Sequence, residues 1–257
     1  MDKTNILVFF IFRTGSSFIM QILRSCYSTQ IYGDYGEILT LSEIKKTGYC
    51  STVPDENLEQ YAINNLDGYI RYLNQNSKEP YVCSKISLFQ IYEHIEKKSM
   101  ALRNILTKQN THVVVITRNL LDVFISWKKA SKLNRWGWDD TTSMKISLSP
   151  EEFISWHNDT KNKYDSFFAL LNSMNKQYTI INYDDFVKCG SNMNKMKYIL
   201  QKLYQSGISL KINFGQFRDT KFLEKQDKNT KHKDQIENYH PFKDELTKNN
   251  LGYNIRV

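Results

Sequence analysis

Arg13-Thr14-Gly15-Ser16-Ser17 lies between an apolar run, Ile6 to Phe12, and a half-apolar segment that opens at Phe18. Every polar side chain in this stretch is a donor. Arg13 carries a fixed cationic fork that suits a tetrahedral oxyanion. Thr14, Ser16 and Ser17 add hydroxyls, and Gly15 lets the backbone approach an anion with no Cβ in the way. With the run as a strand and the segment as a helix, the turn also offers the open N–H groups and partial positive charge of a helix N-terminus. A turn of that kind holds a phosphate-like anion. The lysine of the pattern G-x-x-x-x-G-K-[ST] is missing, which speaks against a Mg²⁺-bound triphosphate. Taken alone, the stretch is equally compatible with an ordinary strand-to-helix turn in which Ser and Gly act as cap and hinge.

A second constellation lies in residues 113–130. Arg118 stands where the buried run His112–Thr117 ends, and Ser126 follows eight positions later, about two turns into a helical pattern over Leu120–Leu133. In open α/β sheets ligands bind at the carboxyl ends of strands, so this arginine and serine can close on one phosphate. An arginine after a strand is otherwise a solvated or structural residue.

As an ordered pair about a hundred residues apart, the two sites resemble the sulfotransferases that use 3′-phosphoadenosine 5′-phosphosulfate (PAPS). Arg13-Thr14-Gly15-Ser16-Ser17-Phe18, within residues 12–18, is similar to that family's 5′-phosphosulfate loop. Its arginine form looks most like glycan sulfotransferases and bacterial trehalose-type relatives. Arg118 and Ser126 resemble the family's 3′-phosphate motif. "CSKISLFQ" is similar to the strand that carries a lysine, here Lys85, with Gln90 following. "IINYDDF" is similar to a strand ending in tyrosine and acid. Lys225 and Gln226, within residues 216–240, stand where the family has a segment that covers the cofactor.

The resemblance implies a P-loop-like α/β fold of three layers and sulfuryl transfer from PAPS to a hydroxyl, by analogy with the glycan type a carbohydrate hydroxyl. It implies Arg13 and residues 15–18 at the 5′ side, Arg118 and Ser126 at the 3′-phosphate, and no metal. The histidine base of the cytosolic small-molecule enzymes falls on Ser87 here and does not carry over. Glu37, in "YGDYGEIL", stands in a setting similar to the glutamate base of the trehalose-type enzyme, with Asp34 as its neighbour and competitor. A carboxylate in a closing pocket can accept a proton near neutrality. Lys85 is expected either to stabilise the leaving group or acceptor, or to serve the sheet alone. Trp127 is a candidate to stack on adenine. His94, His112 and His157 read as packing or surface residues.

These residues require a frame. Asn5–Phe12, Pro80–Ile86, His112–Thr117 and Tyr178–Asn182 read as buried strands, rich in Ile, Val, Phe and Tyr. Helical patterns fill the intervals: Phe18–Cys26, Glu56–Asn74 as one helix, a long helix behind the capping box Ser149-Pro150-Glu151-Glu152, and Met193–Tyr204. That alternation predicts a mostly parallel sheet with helices on both faces, within one domain over residues 1–257. Asn134–Ser147 and Gln216–Lys233 read as long loops, a form that lids and binding segments take. The acceptor falls to residues Gly33–Asp55 and Asn134–Ser147, where Tyr32, Tyr35, Trp136 and Trp138 supply aromatic surface.

Apolar residues make up 40% and charged residues 24% of the 257, enough for a sizeable core. The net charge of +8 is diffuse, with lysines between acids to the end of the chain, which favours a small anionic cofactor over nucleic acid. Four scattered cysteines give neither a zinc site nor a disulfide framework, and no run is long enough to span a bilayer. A cytoplasmic protein with no membrane span is expected; the oligomeric state is not encoded in any motif. Three rivals remain: a nucleotide or small-molecule kinase, a non-catalytic nucleotide-binding homologue, and a basic nucleic-acid-binding domain.

Overall fold

The structure, a computed structural model, describes residues 3–33, 37–134, 140–220 and 231–251. In chain order, β1 (Thr4–Phe10) leads to α1 (Ser16–Arg24) and the short edge strand β2 (Thr29–Ile31). Three helices follow, α2 (Leu41–Thr47), α3 (Asp55–Asn64) and α4 (Leu66–Asn76), before β3 (Tyr81–Ser87). Then come α5 (Leu88–Glu96), α6 (Met100–Thr107), β4 (Thr111–Thr117), α7 (Leu120–Leu133) and the long α8 (Pro150–Ser173). β5 (Tyr178–Asn182) completes the sheet, followed by α9 (Tyr183–Lys188), α10 (Asn192–Gln205), α11 (Phe214–Asp219), a short 3₁₀ turn His232–Asp234 and α12 (Tyr239–Lys248).

The strands form one parallel sheet in the order β2-β3-β1-β4-β5. β1 is central because it is apolar on both faces. Leu7, Phe9 and Ile11 enter one core with β4 residues Val113 and Val115 and with Phe124, Phe153 and Phe167 from the helices beyond. Ile6, Val8 and Phe10 enter the other with Val114, Ile116 and residues of α1 and α10. A strand buried on both faces reads as a continuous apolar run, as Ile6–Phe12 does. The result is the expected α/β fold of three layers, helices on both faces of a parallel sheet.

Local signals set several boundaries. The Asn119 side chain accepts from Leu121 and Asp122 N–H at the start of α7, and Ser149 accepts from Glu152 N–H with Pro150 in the first turn of α8. The single helix expected over Glu56–Asn74 is instead two. Asn65 leaves helical geometry (φ −115°, ψ 38°), and its side chain donates to the Tyr49 hydroxyl at 2.8 Å. Asparagine competes with the helix for local hydrogen bonds, and a break of one residue is invisible to apolar spacing. The loop expected over Gln216–Lys233 begins inside α11. In the other expected loop, Ile146 is buried and pairs with Ile236 in a parallel bridge. No helix among the described residues is long and apolar enough to cross a membrane.

Candidate functional site

The turn after β1 brings Arg13 to the carboxyl end of the central strand. Arg13 (φ 66°) and Gly15 (φ 79°) both take left-handed backbone, which turns the chain sharply into α1. Gly15 is required sterically as well: a Cβ there would lie 2.1 Å from Cε2 of Tyr183. Thr14 is fully buried, and its hydroxyl donates to the Ile11 carbonyl at 2.8 Å. Thr14 therefore fixes the turn and does not aim its hydroxyl at an anion. Ser16 and Ser17 open α1, where the first N–H groups have no acceptor within the helix.

Residues that follow β4, Arg118 at its end and Ser126 in α7, close on this turn. Arg13 Nε donates to Ser126 Oγ at 3.0 Å, and Arg118 Nη1 donates to the Arg13 carbonyl at 2.7 Å. The Arg118 guanidinium lies over the Tyr183 ring, 4.7 Å from its centroid, within cation–π range. Its Nε is buried with no hydrogen-bond partner among the described residues. Burial first, and then the neighbouring Arg118 charge, lower the Arg13 pKa, while Tyr183 opposes the shift. Two guanidinium groups held this close have the chemistry to receive one or two oxyanions. Arg118 is aimed from its strand end by Asn119, whose backbone N–H donates to Asp184 Oδ2 at 2.9 Å.

The other neighbour of β1 builds a different environment. Lys85 of β3 is buried; its Nζ donates to Ser17 Oγ at 3.1 Å and stands 3.6 Å from Glu37 Oε2. Ser17, accepting from Lys85, keeps its own proton to donate. Glu37 reaches Lys85 through the backbone: it forms a parallel bridge with Lys85, and Ile38 N–H donates to the Lys85 carbonyl at 3.4 Å. Gly33 permits this return, since a Cβ there would meet the Glu37 carbonyl oxygen at 2.2 Å. Burial lowers the Lys85 pKa, and Glu37 works against that shift. Lys85 Nζ also lies 4.9 Å from the centroid of the Phe10 ring.

The sequence-derived candidates Arg13, Gly15, Ser16, Ser17, Phe18, Lys85, Glu37, Arg118 and Ser126 thus sit on the carboxyl side of β1, β3 and β4. Phe18 turns its ring onto Phe186 at 5.1 Å, so any part it takes in anion binding falls to its backbone. Trp127 is committed to an aromatic cluster, stacked on Trp156 at 6.4 Å and lying 5.6 Å from Lys128 Nζ. His94 bonds Ser99, and His157 on α8 bonds Asn158. Lys225 and Gln226, like Asp34, Tyr35, Trp136 and Trp138, lie outside the described residues. Tyr183, which touches both Gly15 and Arg118, was not among the candidates; the tyrosine closing the strand in "IINYDDF" was its only trace in the sequence. A separate cleft of about 430 Å³, lined by Arg24, Gln30, Glu79 and Asn213 among others, opens at the amino ends of β2 and β3 and takes no part in this cluster.

No family model matches the chain, and no curated protein matches it. Among solved structures it is similar to a sulfotransferase from Alicyclobacillus acidocaldarius, with TM-score 0.51 and 14% identity, over 96% of this chain and 91% of that one. At that identity the likeness establishes a shared fold along nearly the whole chain.

Proposed function

We propose that the protein transfers the sulfuryl group of PAPS to a hydroxyl acceptor, with a carbohydrate as the favoured acceptor class. The observation that carries this reading is the junction of the two motifs: Arg13 bonds Ser126 at 3.0 Å while Arg118 bonds the Arg13 carbonyl at 2.7 Å. Residues 105 to 113 positions apart are thereby gathered into one doubly cationic receptor. The fold shared with a sulfotransferase supports the same reading.

The residues present fit such a nucleotide. Arg118 has a buried Nε with no hydrogen-bond partner among the described residues, and Gly15 has no room for a side chain. When bound, PAPS supplies an activated sulfuryl group and 3′,5′-adenosine bisphosphate as leaving group. Arg13 and the amides of residues 15–18 hold the 5′ oxyanion and stabilise the charge that develops there. Arg118 and Ser126 hold the 3′-phosphate. Lys85, bonded to Ser17 and beside Glu37, adds a hydrogen-bond donor on the acceptor side. Glu37, one oxygen turned to Lys85, accepts the acceptor hydroxyl's proton on its other oxygen. Lys225 and Gln226 are proposed to complete the cofactor's cover, on the strength of the sequence resemblance alone.

The test is transfer of radiolabelled sulfate from PAPS to a panel of sugars and alcohols. Label in product that disappears in Arg13→Ala supports the reading. Transfer of labelled phosphate from ATP–Mg²⁺ instead would replace it with a kinase, and nucleotide binding with no transfer would leave a binding protein.

A further inference from the structure

We infer that Phe12, backed by Phe89, is the platform on which the acceptor lies, and that the acceptor hydroxyl is therefore carried on a ring with a flat apolar face. This rests on the proposed sulfuryl transfer. Phe12 immediately precedes Arg13 and is 43% exposed, in a turn whose other members are polar or buried. A lone exposed aromatic calls for no explanation, but this one is built into a stack. Its ring lies parallel to Phe89, with centroids 5.7 Å apart and planes 7° from parallel, and meets Phe10 edge-on at 6.2 Å.

Both supporting rings are held by buried lysines. Lys85 Nζ stands 4.9 Å from the Phe10 centroid, and Lys163 Nζ stands 4.9 Å from Phe89. Lys163 is itself buried on α8 and paired with Asp159. The stack is thus rigid at its base and open at Phe12.

Its position selects the occupant. Arg118 and Ser126 come from β4 and its helix, so the nucleotide occupies the β1–β4 side of the Arg13 turn. Phe12 and Phe89 continue the paired strands β1 and β3, whose register ends at Phe10 opposite Ser87. They lie on the side of Glu37 and Lys85, where the proposed base puts the acceptor's hydroxyl. A planar ring pair offers an acceptor ring either the C–H face of a sugar or offset stacking with an aryl group. An open-chain alcohol gains little from it.

The experiment measures sulfate transfer from labelled PAPS to trehalose, 2-naphthol and sorbitol by the full chain and by its Phe12→Ala and Phe12→Tyr variants. Calorimetry with adenosine 3′,5′-bisphosphate accompanies each. The expected result is turnover of trehalose or 2-naphthol well above sorbitol, with the accepted one identifying sugar or aryl as the source. Phe12→Ala should raise the acceptor KM about tenfold while kcat and nucleotide affinity hold, and Phe12→Tyr should restore it. An unmoved KM in Phe12→Ala, or sorbitol as the best acceptor, overturns the platform. So does a protein that binds the bisphosphate and sulfates sorbitol but neither ring compound. Binding with no transfer to any of the three, or failure to bind the bisphosphate at all, overturns instead the reading on which the platform rests.

Discussion

The two flanks of the central strand are built on opposite principles. On the β4 flank, charges of one sign are crowded together: Arg13 and Arg118 share a turn, bonded through Ser126 and a backbone carbonyl, with Tyr183 beneath. On the β3 flank, a buried lysine is balanced by the Glu37 carboxylate at 3.6 Å, with an aromatic stack alongside. Like charges crowded together disfavour one another, and an anion bound between them relieves that repulsion. A balanced pair beside apolar rings suits a neutral ligand and one proton to be moved. The proposed division of labour, nucleotide on the β4 flank and acceptor on the β3 flank, follows this difference in charge.

The comparison breaks first at Glu37. Glu37→Gln keeps the shape of the β3 flank and removes the proton acceptor, so turnover should fall by about 10²- to 10⁴-fold. Adenosine bisphosphate affinity should stay near wild type, because that ligand belongs to the other flank. Steady-state kinetics beside calorimetry checks both halves, and wild-type turnover would remove Glu37 as the base. Arg118→Ala is the mirror experiment. It should weaken bisphosphate binding by about 10- to 100-fold, the worth of a charge-assisted contact to phosphate, and leave the acceptor KM unchanged.

Gly15→Ala strikes the seam between the flanks. The new Cβ would meet the Tyr183 ring at 2.1 Å in a backbone of φ 79°. Destabilisation of about 1–3 kcal/mol is expected from the backbone strain, with nucleotide affinity falling as Tyr183 is displaced. Adding Tyr183→Ala should return part of the stability by relieving the clash but not the strain, which urea denaturation of the single and double variants would resolve.

The smallest effect lies away from both flanks. Burial lowers the pKa of His157 on α8 below the ordinary 6.5, and those of His94 and His112 move the same way. The unfolded chain then binds these protons more readily than the folded one. Stability is complete above about pH 6.5 and declines as pH falls from there toward the folded-state values. His157→Gln should shallow that decline in denaturant titrations between about pH 8 and pH 5 without moving either ligand's affinity.

What the sequence disclosed follows from what its signals measure. Tyr178–Asn182 and Leu120–Leu133 coincide with β5 and α7, since a β-branched, aromatic run and a capped amphipathic helix leave strong traces; β5 was expected to be buried but is an edge strand with Ile180 exposed. β2, three half-buried residues Thr29–Ile31 at the sheet edge, leaves none. Arg13 and Arg118 were legible because cations at strand ends are unusual company for small polar residues. The inward turn of the Thr14 hydroxyl, the Lys85–Ser17 bond and the Tyr183–Gly15 packing were not. Each depends on a partner brought near by the fold or on a rotamer that residue type does not specify. Phe12 was read as the end of a strand, and only its exposure sets it apart from its buried neighbours.

The most direct test of the cationic flank is calorimetric titration of the purified protein, without added Mg²⁺, with adenosine 3′,5′-bisphosphate, adenosine 5′-monophosphate and ATP, the last repeated with Mg²⁺. If Arg118 and Ser126 read a 3′-phosphate, the bisphosphate binds at least about tenfold more tightly than the monophosphate, and Arg118→Ala erases the difference. Equal affinity for the two, or tightest binding of ATP–Mg²⁺, would contradict the account.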